Sequence, residues 1–377
     1  MNDFTSPLRT PSLWSRLTAN VWVRIALVVI VAVVLVVLPL TQSKFVNLQI
    51  SMMAVFAVAI LGLNILMGYA GQVSLGQSAF LGFGAYIAAW GAGGPLFGAG
   101  RWPEIVTLLV CAIVPAVLGL LVALAAARLR GLALAMLTIA LPIIGIPLAK
   151  RLEEFTGAGY GSSVSWMQVP DWAAGFLEND QWRYYIVVLI AVVMFLLARN
   201  LVNGRIGRAF RIVKENEAVA ISMGISPYRY KVLAFTISSM FGGVAGFMYI
   251  VVQQYTSSET LSFHNSINMV AAMVIGGAGS ILGSVFGAIY FVVAPRIANE
   301  INPTLTDLIT GAVLLAMLFL APGGIVSIPR RLAQAGRALR RRFRGAPPPN
   351  PSDRTPTPVG TGPESTEKKN EGKRQGQ

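Results

Sequence analysis

Long apolar segments, separated by short polar links, recur along the chain between Val21 and Ala321. A membrane hydrocarbon core about 30 Å thick requires roughly 20 apolar residues for each helical span. About nine segments approach that length, and we predict one span for each of them: 21–40, 48–67, 76–95, 105–127, 131–149, 183–199, 232–254, 267–294 and 304–321. The pattern therefore predicts an all-α polytopic membrane protein with about eight to ten transmembrane segments.

Basic residues near the span ends predict which side each link faces, because cytoplasmic links carry an excess of Lys and Arg. Arginines lie near both chain termini, so we expect both termini to be cytoplasmic. Nine crossings would place them on opposite sides. The segment 267–294 is long for one span and short for two, so we predict a broken or re-entrant pair of helices hinged at Gly276, Gly277 and Gly279. Gly283 continues a four-residue glycine spacing that favours close packing of a neighbouring helix.

The links and tails differ in charge and composition. Residues 1–20 are predicted to form a cytoplasmic N-terminal segment, and residues 21–329 the transmembrane domain. Within that domain, 150–182 is a mildly acidic external loop and 200–231 a basic cytoplasmic loop. Residues 330–377 are basic and rich in Pro, Ser and Thr. Because such a segment cannot bury enough apolar surface to fold, we predict a disordered cytoplasmic tail.

The overall composition supports a membrane protein and argues against several other classes. Hydrophobic residues make up 55% of the chain and charged residues 12%, with a mean hydropathy of +0.64, whereas soluble domains are about 25% charged. The net charge of +14 comes from residues beside the apolar segments, which indicates membrane sidedness rather than nucleic-acid binding. Cys111 is predicted to be a small apolar residue in a helix and His264 a loop residue, so neither a disulfide nor a cysteine metal site is expected.

Ionisable residues are missing from the interiors of the predicted spans. Asp, Glu, Lys and Arg are absent from 45–100 and from 260–295. Carriers coupled to protons or ions keep such groups within the bilayer, so a secondary carrier is disfavoured, although this argument does not apply to a passive channel. The G-x-x-x-x-G-K-[ST] phosphate-binding motif is absent as well. Any energy source is therefore expected to be another polypeptide that docks on the cytoplasmic side.

The basic loop 200–231 is the candidate docking surface. Residues 216–223 have helix-forming character, and Gly224 ends this predicted helix. Ala218 and Ala220 are small residues against which a partner could pack. The alternative is a plain loop helix that rests on lipid phosphates.

The stretch "GYAGQVSLGQSAFLGFGAY" at 68–86 is unusually polar for an apolar region. Each of its glycines would lower helix stability by about 1 kcal/mol relative to Ala, which favours close helix packing or an interrupted helix. An interrupted helix frees groups that can line a transport path, and the alternative is hydrogen bonding between helices alone. The residues concerned are Gly71, Gln72, Ser74, Gln77 and Ser78.

Three stretches together resemble the permease subunits of ATP-binding cassette (ABC) importers for branched-chain amino acids. This LivM/LivH-type family also includes urea and short-amide transporters. The stretches are "GYAGQVSLGQSAFLGFGAYIAA", "GRAFRIVKENEAVAISMGISPYRYKVLAFTISSMFGGVAGFMY" and "MVIGGAGSILGSVFGA", in this order. The resemblance covers most of residues 45–325, and the long polar external loop resembles the LivM-like member of the permease pair.

The resemblance implies a transport subunit of the bacterial plasma (inner) membrane, without its own ATPase site or cofactor. Its partners would be a second homologous permease, two cytoplasmic ATP-binding subunits that use the ATP, and an extracytoplasmic substrate-binding protein. The coupling helix would contain Glu217, Ala218, Ala220 and Gly224, with a spacing one residue longer than the E-A-A-x-x-x-G pattern of better-known ABC permeases. The implied substrates are branched-chain or related amino acids. Urea or short amides are the alternative, and a secondary carrier or channel is less favoured.

One loop departs from the family pattern. Where TGG-x-x-G-L is expected, the chain reads "FTGAGYGSSVSWMQVPDW" at 155–172. Trp166 and Trp172 in this loop are predicted either to lie at the membrane interface, as aromatic belt residues do, or to contact a substrate-binding protein.

Overall fold

The computed structural model describes residues 29, 33–93, 101–126, 132–157, 160–171, 175–320 and 323–327. Residues 33–41 are helical, but much of the first predicted span and the whole tail 330–377 lie outside the described residues. The predictions made for those segments therefore stay predictions.

Helices dominate the described part of the chain. In chain order they are α1 (Lys44–Leu63), α2 (Gln77–Gly93), α3 (Glu104–Ala126), α4 (Leu132–Arg151), α5 (Glu153–Thr156), α6 (Asn179–Asn203), α7 (Arg205–Glu215), α8 (Glu217–Ser222), α9 (Pro227–Gln253), α10 (Phe263–Gly276), α11 (Ile281–Ile301) and α12 (Thr306–Leu320). α1 continues as a π-helical turn over Asn64–Tyr69, and a 3-10 turn over Ser258–Leu261 precedes α10. Two short strands, β1 (Ser162–Ser163) and β2 (Tyr255–Thr256), pair antiparallel.

Six helical segments in the described residues are long and apolar enough to cross a membrane. They are Lys44–Tyr69, Glu104–Ala125, Ala133–Arg151, Asn179–Asn203, Pro227–Gln253 and Ile281–Ile301. α2, with 17 residues, and α10, with 14, are shorter, and each adjoins a segment without α-helix. The prediction of an all-α polytopic protein with at least one broken helix is confirmed.

Contacts between helix termini define the two ends of the helical bundle. Lys44 at the start of α1 pairs with Glu178 just before α6, with 3.2 Å between nitrogen and oxygen. Arg296 near the end of α11 lies over the ring of Phe45 at 4.7 Å. We call this end, which carries the described residues 152–157, 160–171 and 175–178, the loop end. The opposite end carries α7 and α8, and we call it the basic end.

α9 is the central helix and packs against α1, α2 and α3 through small residues. A Cβ atom added at Gly243 would lie 2.1 Å from the carbonyl oxygen of Cys111, and one at Gly246 would lie 2.1 Å from that of Leu81. Such close packing stabilises helices in lipid, where hydrophobic burial between them contributes little. Cys111 is buried in α3, as predicted, and its thiol donates to the carbonyl oxygen of Gly84 at 3.4 Å.

The predicted break within 267–294 is present. α10 ends at Gly276 and α11 begins at Ile281. The link between them contains Gly277 at φ +123° and Gly279 at φ +77°, conformations that favour glycine. The paired glycines therefore separate two helices where the apolar run alone suggests one.

α10 and α11 fold back on each other as a close hairpin. A Cβ atom at Gly276 would lie 1.9 Å from the carbonyl oxygen of Gly283, and one at Gly287 would lie 2.4 Å from that of Ala272. α12 follows α11 back toward the basic end, where a Cβ atom at Gly324 would lie 2.4 Å from the Cα atom of Gly277. One predicted span is thus two helices, α10 and α11.

Replacing Gly276 by alanine is expected to lower the free energy of unfolding by about 1–3 kcal/mol, the usual cost of overpacking. The added methyl group would press on the backbone of α11, which cannot move aside as a flexible side chain can. The measurement is the thermal unfolding midpoint of the purified protein in detergent. Gly311→Ala in α12 is the matched control, because nothing lies within 4 Å of a Cβ atom there. Equal midpoints for both variants would contradict the close hairpin.

Trp166 takes neither of its predicted roles. Its side chain is fully buried, and its ring packs edge-on against Phe247 with 5.2 Å between the centroids. Its backbone N–H donates to the side chain of Gln254 at 2.7 Å. A fully buried ring can neither anchor in the membrane interface nor contact a binding protein, so both predictions are wrong for Trp166. Trp172 lies outside the described residues.

His264 is also placed differently from the prediction of a loop residue. It lies in the first turn of α10, where its Nε2 atom is 2.9 Å from Nδ2 of Asn268. The helix starts this early because the hydroxyl of Ser262 accepts from the N–H of His264 and caps the first turn. Within the described residues, no group of three or more His, Cys, Asp and Glu could hold a metal ion.

Candidate functional site

Two interrupted helical segments meet near the basic end of the bundle. α1 ends in the π-helical turn Asn64–Tyr69, and the chain then continues without helix until Gln77. Gly68 in that turn lies against the link between α10 and α11, since a Cβ atom on it would lie 2.5 Å from the backbone nitrogen of Gly279. Gly71 follows at φ +72° and turns the chain.

Asn64 joins the two interruptions. Its Oδ1 atom accepts from the N–H of Gly279 at 2.7 Å, while Nδ2 donates to the carbonyl oxygen of Ser280 at 2.7 Å and to the hydroxyl of Ser284 at 3.2 Å. The side chain is fully buried. One amide therefore satisfies backbone groups that the break leaves without helical partners. The sequence-based prediction omits Asn64, and its only signal is a single amide in an apolar run.

The non-helical segment after Gly71 rises along α9 toward the middle of the bundle. The side chain of Gln72 donates to the carbonyl oxygen of Lys231 at 3.0 Å, near the start of α9. That of Gln77 donates to the carbonyl oxygen of Ser238 at 3.3 Å, seven residues and about 10 Å further along α9. α2 therefore begins well inside the bundle, as discontinuous helices of transporters do.

The first turn of α2 is held by hydrogen bonds to four other segments: α1, α9, α10 and the 3-10 turn before α10. Gln77 donates to the carbonyl oxygen of Ala59 at 3.0 Å and accepts from the hydroxyl of Ser238 at 3.2 Å. The N–H of Ser78 donates to the hydroxyl of Ser266 at 3.0 Å, and the hydroxyl of Ser78 donates to the carbonyl oxygen of Leu261 at 3.2 Å. All of these polar side chains are bonded within the chain.

Ser74 differs from its polar neighbours. Its hydroxyl is buried and has no hydrogen-bond partner among the described residues. The next residue, Leu75, donates its N–H to the hydroxyl of Thr138 in α4 at 3.0 Å. Bonding between helices accounts for the burial of Gln72, Gln77 and Ser78, and their role in lining a path stays a prediction.

The predicted cytoplasmic helix is α8, and local signals set its limits. The side chain of Asn216 accepts from the N–H groups of Ala218 at 2.9 Å and Val219 at 3.3 Å, which caps the helix. Gly224 at φ +75° ends it. α9 then begins with Pro227 in its first turn.

The exposed face of α8 differs from the predicted one. Ala220 is fully buried against the rest of the chain, so it cannot be part of an exposed docking face. Ala218 is exposed, together with larger apolar side chains: Val219 at 48%, Ile221 at 64% and Met223 at 64%. A partner would therefore meet mainly branched and flexible apolar groups rather than two alanines, and the coupling role itself stays a prediction.

Two polar links join α7 and α8 to the interrupted segment. The ammonium of Lys214 in α7 donates to the carbonyl oxygen of Gly68 at 2.6 Å. Glu217 in α8 pairs with Lys231 at 2.6 Å, and the backbone carbonyl of Lys231 is the acceptor for Gln72. A displacement of α7 and α8 would thus act on both ends of the turn that contains Gly68 and Gly71.

The fold and these contacts define a polytopic membrane protein of the permease class, with broken helices in its core and a helix pair at one end. A family model described as "Branched-chain amino acid transport system / permease component" matches residues 46–318. The chain belongs to this family, and the resemblance predicted from its three motifs is confirmed.

Individual relatives agree with the family assignment. One relative is the high-affinity branched-chain amino acid transport system permease protein LivM of Salmonella typhimurium. The two chains are 30% identical over 305 residues, and the matched region covers 74% of this chain and 69% of that protein. LivM of Escherichia coli is 30% identical over 295 residues, or 72% and 67% of the two chains. LivH of Salmonella typhimurium is 27% identical over 175 residues, or 45% and 50%. No solved structure matches.

Proposed function

We propose that the chain is the LivM-like permease subunit of an ABC importer for branched-chain amino acids. The names of its LivM relatives support that substrate class. The observation that carries the coupling part of the proposal is the attachment of α7 and α8 to the interrupted segment, through Lys214 and Gly68 and through Glu217, Lys231 and Gln72.

The proposed partners follow from this role. They are a second homologous permease, two cytoplasmic ATP-binding subunits and an extracytoplasmic substrate-binding protein. ATP is used by the partner subunits. The exposed apolar side chains of α8 and of the residue that follows it, Val219, Ile221 and Met223, are the proposed contact with an ATP-binding subunit.

The proposed orientation places the basic end in the cytoplasm of a bacterial cell and the loop end outside. Lys and Arg prevail in the link 200–231, which supports this orientation by the positive-inside rule. If α10 and α11 each count as one crossing, they add one crossing to the nine apolar segments. Both chain termini would then be cytoplasmic.

In the proposed mechanism, movement of α8 is transmitted to the interrupted segment that follows α1. Closure of the ATP-binding subunits would displace α8, and the Glu217–Lys231 ion pair would pass that displacement to the segment 70–76. Lys214 would act in parallel on the carbonyl of Gly68. The chain itself would supply the path and the mechanical link.

Reconstitution of the complete complex in proteoliposomes tests the proposal. Labelled leucine should accumulate only when ATP, the ATP-binding subunits, the substrate-binding protein and this chain are all present, because the proposal assigns the energy source to the ATP-binding subunits. Omission of each component in turn is the control. Accumulation of urea but not of leucine would move the substrate to the short-amide class, and uptake without ATP-binding subunits would overturn the importer proposal.

A further inference from the structure

An apolar groove of about 470 Å³ runs along α6, between α1 and α11. On α6 it extends from Val188 to Arg199, a helical rise of about 17 Å. The hydrocarbon depth of one membrane leaflet is about 15 Å, half of the whole core. The groove therefore has the length of one leaflet.

The groove opens to the outside of the bundle. Leu196 of α6 and Leu282 of α11 line it, and both side chains are more than half exposed. Both helices belong to segments that are long and apolar enough to cross a membrane. Such a surface meets either lipid tails or the apolar surface of another protein.

Arg199 is the single charged residue among the described residues that line the groove. It is exposed and lies one turn before Asn203, the last residue of α6, so the charge is at the basic end. In the part of the chain that the structure describes, its guanidinium has no ion pair and no hydrogen bond. The charge that complements this end of the groove is therefore negative.

Arg208 of α7 brings a second guanidinium to the end of α6. Its Nη1 atom donates to the backbone carbonyl oxygen of Asn203 at 3.4 Å. Arg208 is exposed, and none of the ion pairs among the described residues involves it. Guanidinium groups bind phosphate oxygens through charged, often paired hydrogen bonds. Two cations without carboxylate partners thus lie where lipid phosphates of the adjoining leaflet are found.

We propose that the groove binds an anionic phospholipid of the leaflet at the basic end, with one acyl chain along α6 and the phosphate at Arg199. This site is separate from substrate transport and does not depend on which substrate is carried. A partner helix as apolar as the groove would cover Arg199 without pairing its charge, which is unfavourable. A phospholipid satisfies both the apolar walls and the charge.

The position of the phosphate gives the lipid an effect on the helix pair at the basic end. It would lie beside the junction of α6 and α7, and α7 bonds to the interrupted segment through Lys214 and Gly68. The bound lipid would therefore hold α7 in its place against the bundle.

Arg199→Gln tests the head-group contact. The full chain is purified in mild detergent, phosphatidylglycerol is added in steps, and native mass spectrometry measures the affinity for the first lipid bound. Loss of one basic residue near the membrane surface should weaken this binding about 5-fold. Because Arg199 is exposed and has no described partner, the exchange should leave the fold intact, and circular dichroism checks this.

Arg229→Gln is the matched control, because Arg229 is an exposed arginine near the start of α9, at the same end of the bundle, and does not line the groove. It should leave the affinity unchanged. Equal weakening by both substitutions would mean that the lipid is attracted to the basic end as a whole, and would overturn the proposal.

Photolabelling tests where the acyl chain lies. The complete complex is placed in phosphatidylcholine vesicles with a trace of phosphatidylglycerol that carries a diazirine in its acyl chain, and the labelled peptides are identified after irradiation. Labels should concentrate on α6 and α11, ordinary phosphatidylglycerol should displace them, and Arg199→Gln should weaken them. α3, whose Leu121 is also exposed, serves as the reference for bulk lipid.

Two outcomes of the labelling would overturn the proposal. Labels on α3 as strong as those on α6 and α11 would mean that the groove takes bulk lipid without selection. Labels that are present on the chain alone but lost in the complete complex would mean that a partner protein covers the groove.

Discussion

Replacing Asn64 by alanine is expected to lower the free energy of unfolding by about 2–6 kcal/mol. The substitution removes both the acceptor of the Gly279 N–H and a donor to the Ser280 carbonyl. Each buried group left without a partner costs about 1–3 kcal/mol. Denaturation of the purified protein in detergent, followed by circular dichroism, measures the loss.

Asn47→Ala is the matched control for this prediction. Asn47 is also a buried asparagine of α1, but its described side-chain hydrogen bonding is a single donation to the carbonyl oxygen of Pro39 at 3.0 Å. Its loss should cost only about 0.5–1.5 kcal/mol, the net value of one hydrogen bond, because the carbonyl oxygen of Pro39 also accepts from the side chain of Gln181 at 3.2 Å and stays paired. Equal destabilisation by the two substitutions would mean that Asn64 does not join the breaks.

Two features show where prediction from sequence succeeds and where it stops. The break between α10 and α11 was predicted, whereas the role of Asn64 in joining the two interrupted segments was not. The break at Gly276, Gly277 and Gly279 could be predicted because glycines mark it locally and the charges at the chain ends require an extra pass. Asn64 could not, because its partner Gly279 lies 215 residues away and contributes a backbone group. A backbone partner leaves no complementary side chain to find in the sequence.

The same distinction holds for the helix at the basic end. Asn216 and Gly224 are local signals, and they predict correctly that a short helix lies between them. Which face it exposes depends on packing against the rest of the chain, and a helix of six residues is too short for hydrophobic periodicity to reveal that face. The burial of Ala220 could therefore be seen only in the structure, and the same is true of the burial of Trp166.

The ion pair between Glu217 and Lys231 is expected to matter for transport far more than for stability. Glu217→Gln should lower ATP-driven leucine uptake about 10-fold, within the 5- to 150-fold range typical of coupling between sites. The free energy of unfolding should change by less than about 1 kcal/mol, because the carboxylate is 40% exposed and such pairs contribute little. Uptake and ATP hydrolysis are measured in parallel on the reconstituted complex.

Glu300→Gln is the matched control, because Glu300 pairs with Arg296 at 3.0 Å at the loop end, away from α8. It should leave both uptake and ATP hydrolysis unchanged. The double exchange Glu217→Lys with Lys231→Glu separates the two ways in which Glu217 could act. If the carboxylate works through Lys231, the exchanged pair restores most of the uptake, since the backbone contact from Lys231 to Gln72 does not depend on the side chain. If Glu217 instead touches an ATP-binding subunit directly, the exchange restores nothing, and the link to the interrupted segment must run through Lys214 in α7 alone.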